Sequence, residues 1–318
     1  MSRYRNRLPQ LDNRLFLTDG GLETTLIFHN QLALPHFAAF DLLKEEAGVE
    51  ILRRYFVPYI EAARRQGSGF ILEAPTWRAS RDWGGRLGYD EVTLADANRR
   101  AIGLLLEIRA ASEGPATPLV ISGNIGPRGD GYRADQRMTS EAARDYHSAQ
   151  INTFAETHAD MVAAFTMTYV EEAIGILHAA RRARMPAAIS YTVETDGRLP
   201  SGDTLADAIR RTDDETDGYA AYYMINCAHP QHFSDALRDG SWRTRIRGLR
   251  ANASTRSHAE LDESTDLDDG NPQQLGDEYR ELRQLLPTLC ILGGCCGTDH
   301  RHVQAIAKAC LPQPAIVG

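Results

Sequence analysis

The sequence predicts an α/β protein, a (β/α)8 TIM barrel in a single domain. Two observations carry that expectation. Short apolar runs rich in β-formers recur eight times along the 318 residues, and each is followed by a polar or glycine-containing loop and a stretch of helical periodicity. Strands alternating with helices pair in parallel through right-handed crossovers, and eight such units are enough to close a barrel of roughly 250 residues. A doubly wound open sheet is the alternative. The expected domain is the whole chain, 1–318, with the barrel proper at about 15–309.

The eight expected strands are 15–18, 69–72, 119–122, 161–166, 187–191, 222–226, 246–249 and 289–292. Between them, 140–159 reads as a helix capped by Ser140 and followed by Glu141, and 170–183 as an Ala- and Glu-rich outer helix. The acidic, turn-rich stretch 257–276 reads as a long loop after the seventh strand.

Composition narrows the function classes. Hydrophobic residues make up 42% and charged residues 25%, the balance of a soluble globular protein. Acidic side chains outnumber basic ones 43 to 35, for a net charge of −8, and no Lys/Arg run offers a phosphate-tracking stripe, which argues against nucleic acid. No apolar segment has the length of a secretory h-region or a membrane span, so a cytoplasmic location is expected. Partners are then small molecules, and homo-oligomerisation is left open.

Polar motifs fall just past the expected strands: Thr18-Asp19-Gly20-Gly21, Glu73-Ala74-Pro75-Thr76, Gly123-Asn124, Val193-Glu194-Thr195-Asp196, Asn226-Cys227-Ala228-His229 and Gly293-Gly294-Cys295-Cys296-Gly297. In a barrel these loops converge on one rim, the face that carries catalysis. Five cysteines, an odd number in a large chain expected to lack a secretory signal, point to reduced thiols. Cys227 ends the sixth expected strand and Cys295 follows the eighth, 68 residues later. That spacing is too long for a zinc finger, yet alternate strands of a barrel bring such ends together. Three thiolates with a fourth position open is a catalytic zinc pattern. A chance cysteine pair beside a buried strand-end thiol fits the same spacing. Cys290 and Cys310 read as core residues. His229, His300 and His302 read as capping or surface residues, with nitrogen ligation as their alternative.

The elements DGGLET (19–24), NC (226–227) and GGCCGT (293–298) resemble the homocysteine S-methyltransferase family, in register over about 15–309. The resemblance implies Zn2+ held by Cys227, Cys295 and Cys296, and a zinc-bound thiolate of homocysteine, or of a related thiol or selenol, that attacks a methyl group on a sulfonium, an ammonium or a methylated cofactor. It further implies that Asp19, Gly20 and Gly21 hold the amino acid end of the thiol substrate. Asn226 and Glu194 are carried as substrate contacts.

Two departures from the family pattern bear on the substrate. Where the family carries a glutamate for the substrate ammonium, this chain has Phe165, and the element after the second strand reads Glu73-Ala74-Pro75-Thr76-Trp77-Arg78. Glu73 is therefore expected to replace the missing glutamate or, alternatively, to pair with Arg78. Glu194 and Asp196 are expected either to face a cationic donor or to cap the helix after Gly202. Trp77, Trp83, Tyr169 and Tyr191 are the aromatic candidates for holding a methyl cation. Two other readings compete with the methyltransferase: a zinc hydrolase, which needs a His/Asp-rich shell, and a metal- or thiol-binding barrel without transferase activity.

Overall fold

The computed structural model describes residues 2–12, 14–264 and 266–310. It is a closed barrel of eight parallel strands in sequence order: β1 (Phe16–Leu17), β2 (Gly69–Glu73), β3 (Leu119–Ile125), β4 (Met161–Met167), β5 (Ala187–Tyr191), β6 (Tyr222–Asn226), β7 (Ile246–Ala251) and β8 (Ile291–Gly294). Parallel β1–β8 pairing through Phe16–Ile291 and Leu17–Leu292 closes it, so the open-sheet alternative does not form. All eight expected strands are present.

Side chains alternate across each strand, and the alternation builds two cores. Phe16, Ile71, Val120, Met161, Ala163, Phe165 and Tyr222 pack together inside the barrel. Leu17, Phe70, Leu72, Ile121, Val162, Ile189 and Ile225 pack outward against the helices. On the outer layer lie Glu46–Gln66, Glu91–Ser112, Ser140–Ala155, Val170–Arg182, Leu205–Glu215, Pro272–Leu285 and His300–Cys310. Among the described residues no helix is long and apolar enough to cross a membrane.

Three local expectations are corrected. Thr139, not Ser140, caps the helix that follows, its side chain accepting from Ala142 N at 3.2 Å, and the helix ends at Ala155. The expected loop 257–276 contains the helix His258–Asp262, capped by Ser257, and the first turn of Pro272–Leu285 behind the Asn271 cap. The last strand starts at Ile291, so Cys290 sits just before it, buried as expected; Cys310, also buried, ends the final helix.

The N-terminal end of the barrel is stoppered by the first residues of the chain. Leu8 packs on the inner core, and Asp160, fully buried, takes the backbone N–H groups of Arg3 and Tyr4 on one oxygen and the Arg109 guanidinium Nη1 and the backbone N–H of Ile121 on the other, all at 2.7–2.9 Å. The opposite rim is left for chemistry.

Candidate active site

The β6 and β8 ends bring three sulfurs together: the Sγ atoms of Cys227, Cys295 and Cys296 lie within 4.8 Å of one another, with Cys227 and Cys296 at 3.9 Å. Three thiolates on one zinc, each about 2.3 Å from it, sit roughly 3.8 Å apart in a tetrahedral shell, so the observed spacing fits the ion.

The backbone is bent to achieve this. Cys227 adopts φ 55° and Thr166, across the barrel mouth, φ 64°, a left-handed conformation that costs a non-glycine residue about 1–2 kcal/mol. Thr166 is held by reciprocal bonds to Asn226, its N donating to Asn226 Oδ1 at 2.9 Å and Asn226 Nδ2 donating to its Oγ1 at 3.0 Å, and Cys227 N donates to Arg250 O at 3.2 Å. The glycines flanking the cysteine pair are required by space. A Cβ on Gly293 would run into Thr18 Oγ1, one on Gly294 into Thr298 Oγ1, and Gly297 takes φ 76°.

Around the sulfurs, Asn226 Nδ2 approaches Cys295 Sγ at 3.9 Å and Tyr132 OH lies 3.3 Å from Cys296 Sγ. Hydrogen bonds from Cys227 and Cys296 pull the Cys295 thiol well below the usual range, while those with Cys295 and Cys296 push the Cys227 thiol up. Tyr132 stacks on His258 (ring centroids 4.2 Å apart), and His258 Nε2 reaches Cys227 O at 2.5 Å while Nδ1 faces Glu194 Oε1 at 3.3 Å. Tyr132 and Glu194 also line a cleft of about 370 Å³ with Arg133, Asp196, Arg198 and Leu199.

Below the cluster, Arg250 of β7 spans the mouth. Its Nε donates to Gly294 O at 3.0 Å, Nη1 to Asp19 Oδ1 at 2.7 Å and Nη2 to Gly20 O at 3.0 Å, while Tyr55 OH donates to Asp19 Oδ2 at 2.8 Å. The guanidinium lies over the Phe165 ring, 5.2 Å from its centroid. Gly21 N–H is directed to Thr298 O and Oγ1.

Glu73 is buried in the same region, its Oε2 without a hydrogen-bond partner among the described residues. The expected Glu73–Arg78 pair does not form. Arg78 instead lies between the Trp77 and Trp83 rings, 3.8 and 3.7 Å from their centroids, and donates to Gly129 O, so those two aromatic faces are occupied by a side chain of the protein. Tyr169 OH accepts from Met138 N and Tyr191 OH bonds Thr212 Oγ1, which commits both away from the cluster. Asp196 accepts from Arg198 N, and Thr204 caps the helix after Gly202, so the expected acidic cap is not made. His229 caps Pro230–Phe233, and His302 bonds Asp299 and Asp269 O. None of these histidines joins the metal-competent group found among the described residues, and neither does His300.

Burial pushes the Glu73 carboxyl up to about 7, against the pull of Arg250. With a folded pKa above the unfolded 4.5, the group contributes stability that is full below about pH 4.5 and lost as pH rises through about 7. Glu73→Gln is expected to remove that loss, a difference on the order of 3 kcal/mol between pH 4.5 and 8. Thermal unfolding across this window checks it; a melting temperature that falls as steeply in the variant as in the parent would refute it. Glu23, raised by burial to about 7 as well, leaves a residual slope in the variant.

Polar loops gathered on the C-terminal rim of a closed barrel define an enzyme of the barrel class. The family model for Homocysteine S-methyltransferase matches residues 16–310, and the chain belongs to that family: it is a methyltransferase. It is 25% identical over 325 residues to Homocysteine S-methyltransferase 4 of Zea mays, covering 92% of this chain and 88% of that one. In three dimensions it matches the homocysteine methyltransferase MmuM from Escherichia coli. The oxidized form gives a TM-score of 0.76 and the metallated form 0.75, each at 19% identity over 95% of this chain and 98% of that chain.

Proposed function

We propose that the protein activates a thiol, homocysteine or a related thiol or selenol, for attack on a small-molecule methyl donor, with zinc held by Cys227, Cys295 and Cys296. The observation that carries the reading is the convergence of three sulfurs from two strand ends at the catalytic rim. The zinc hydrolase reading gains no support, because the metal-competent group among the described residues contains cysteines alone.

Zinc, when bound there, supplies a Lewis acid that keeps a substrate thiol deprotonated near neutral pH. The remaining work falls to the chain. Asn226, fixed by Thr166 N and by Ser190 Oγ at 2.6 Å, steadies Cys295, and Tyr132 donates toward Cys296. These contacts temper the charge on the cluster without consuming it. The loop Asp19-Gly20-Gly21 lies against Cys295 O and forms the substrate side, whereas Glu73, with Oε2 buried, acts through the charge of Arg250. Glu194 faces the cleft beside Tyr132, where the methyl donor docks. The substrate sulfur forms the new S–C bond as the donor heteroatom departs with the bonding pair, and holding both partners at one rim supplies the proximity term. With homocysteine the product is methionine, which places the reaction in methionine formation in a reducing, cytoplasmic setting.

The test is methyl transfer by the zinc-loaded protein across a panel of thiols and donors, with Cys296→Ala as control. Transfer is expected for at least one pair and not in the control. Activity that survives the substitution would defeat the proposal.

A further inference from the structure

We infer that Arg78 is a positioning residue for the transfer reaction: held between two tryptophans, it clamps the loop after β3 and so sets where Tyr132 meets Cys296 and the cleft. The importance of Cys296 rests on the thiol-activation reading above; the clamp itself does not. Arg78 and the carbonyl it grips lie 51 positions apart in sequence, so no motif marks the contact.

A buried cation is costly unless something in the protein holds it. Arg78 is 5% exposed, and what holds it is two ring faces and one carbonyl. Its Cζ lies 3.8 Å from the Trp77 centroid and 3.7 Å from that of Trp83, and Nη1 donates to Gly129 O at 3.1 Å. Arg86 packs on Trp83 as well, 4.3 Å from its centroid, so the ring is fixed within a stack. A planar guanidinium fits between rings as an ammonium does not. The result is a short, stiff arm that presents one strong donor to the neighbouring loop.

The stretch it grips is otherwise tied only at its ends. Arg128 N donates to Glu172 Oε1 at 2.8 Å, and Met138 N donates to Tyr169 OH at 3.1 Å. Between them, two hydrogen bonds join residues 129–136 to the rest of the chain among the described residues: Gly129 O to Arg78, and Tyr132 OH to Cys296 Sγ at 3.3 Å. Gly131, just before Tyr132, lies between Trp77 and Thr166; a Cβ there would come to 3.1 Å from Trp77 Cζ2 and 3.2 Å from Thr166 Cγ2. Trp77 therefore bounds the stretch and Arg78 draws it in. A bond from a guanidinium is charge-assisted, whereas sulfur is a weak partner for a hydroxyl. The clamp, more than the contact of Tyr132 with sulfur, carries the placement, and without it the loop hangs on the weaker bond.

The first measurement needs no metal. Chymotrypsin cuts after Tyr132 when the loop lifts, and the rate follows the open population. In the full chain, Arg78→Ala is expected to speed this cut about tenfold or more, the scale of one charge-assisted bond. Millimolar guanidinium ion, far below the molar range that unfolds proteins, is expected to refill the slot between the rings and restore protection, whereas methylammonium, of equal charge but not planar, is not. Arg81→Ala, which removes an exposed arginine nearby, should cut like the parent. The second measurement uses the chain loaded with cobalt(II), whose absorption reports the thiolates. Tyr132→Phe is expected to shift the thiolate band, Arg78→Ala to shift it the same way, and the double variant to go no further than Tyr132→Phe, since residues acting as one unit are not additive. Cleavage that Arg78→Ala leaves unchanged, or that guanidinium does not slow, would overturn the clamp. A band that Arg78→Ala leaves in place would overturn its action through Tyr132. A parent that takes up no cobalt would instead overturn the metal reading, and cleavage would still decide the clamp.

Discussion

Cys295→Ser is expected to strip the protein of zinc and to cost methyl transfer about a thousandfold or more, the several kcal/mol that a metal-activated nucleophile supplies. Serine keeps the shape of the side chain but offers a hydroxyl that does not ionise near neutral pH and binds zinc poorly beside two thiolates. Among the three thiols this one has the strongest local support: the other two sulfurs, Arg250 and Asn226 all favour its thiolate. Its backbone N–H is bonded to Ala251 O and its carbonyl to Thr298, so the polypeptide around it is fixed before any ion arrives. Metal analysis after dialysis, followed by the transfer assay, checks both parts. Cys310→Ser, in the final helix, is the matched control: it alters a buried thiol remote from the cluster and is expected to leave zinc content unchanged. Equal loss of metal in the two variants would show that cysteine substitution merely loosens the fold.

The barrel was legible because most of its strands are short, largely apolar runs, buried throughout, that no competing period interrupts; Met161–Met167 and Tyr222–Asn226 are of this kind. The cysteine trio was legible for a different reason, since Asn-Cys and Gly-Gly-Cys-Cys-Gly are compact motifs at strand ends. What escaped were residues whose role depends on packing between loops. Tyr132 lies in the loop after β3, with only glycine and charged neighbours to mark it, and it reaches Cys296 across 164 positions of sequence. His258 is one polar residue in an acidic stretch that reads as a loop. Arg250 did leave a signal: it is the second arginine of the strand Ile246–Ala251, and a charged side chain at the rim end of a buried strand has to find a partner inside the barrel. The Glu73–Arg78 expectation failed because sequence nearness ignores the two tryptophans flanking the arginine, whose faces hold its guanidinium more closely than the carboxylate five residues away.

Asp160→Ala is expected to destabilise the protein by about 3–5 kcal/mol, the cost of breaking a buried ion pair and leaving one charge unpaired. The stranded charge is Arg109, 7% exposed, which donates to Asp160 Oδ2 at 2.7 Å. The same carboxylate receives Arg3 N and Tyr4 N at 2.8 Å, so its loss also unfastens the segment that places Leu8 against the inner core. For a chain of this size the melting temperature should fall by roughly 4–8 °C. Zinc content at 25 °C should nevertheless stay that of the parent, because Asp160 precedes β4 whereas the sulfurs lie past the opposite ends of β6 and β8. In barrels the N-terminal face carries stability and the C-terminal rim carries chemistry. Thermal unfolding and metal analysis on the same sample separate the two. Loss of zinc from a variant still folded at 25 °C would mean that the N-terminal stopper sets the spacing of the strand ends at the far rim, and that the division between the two faces fails in this protein.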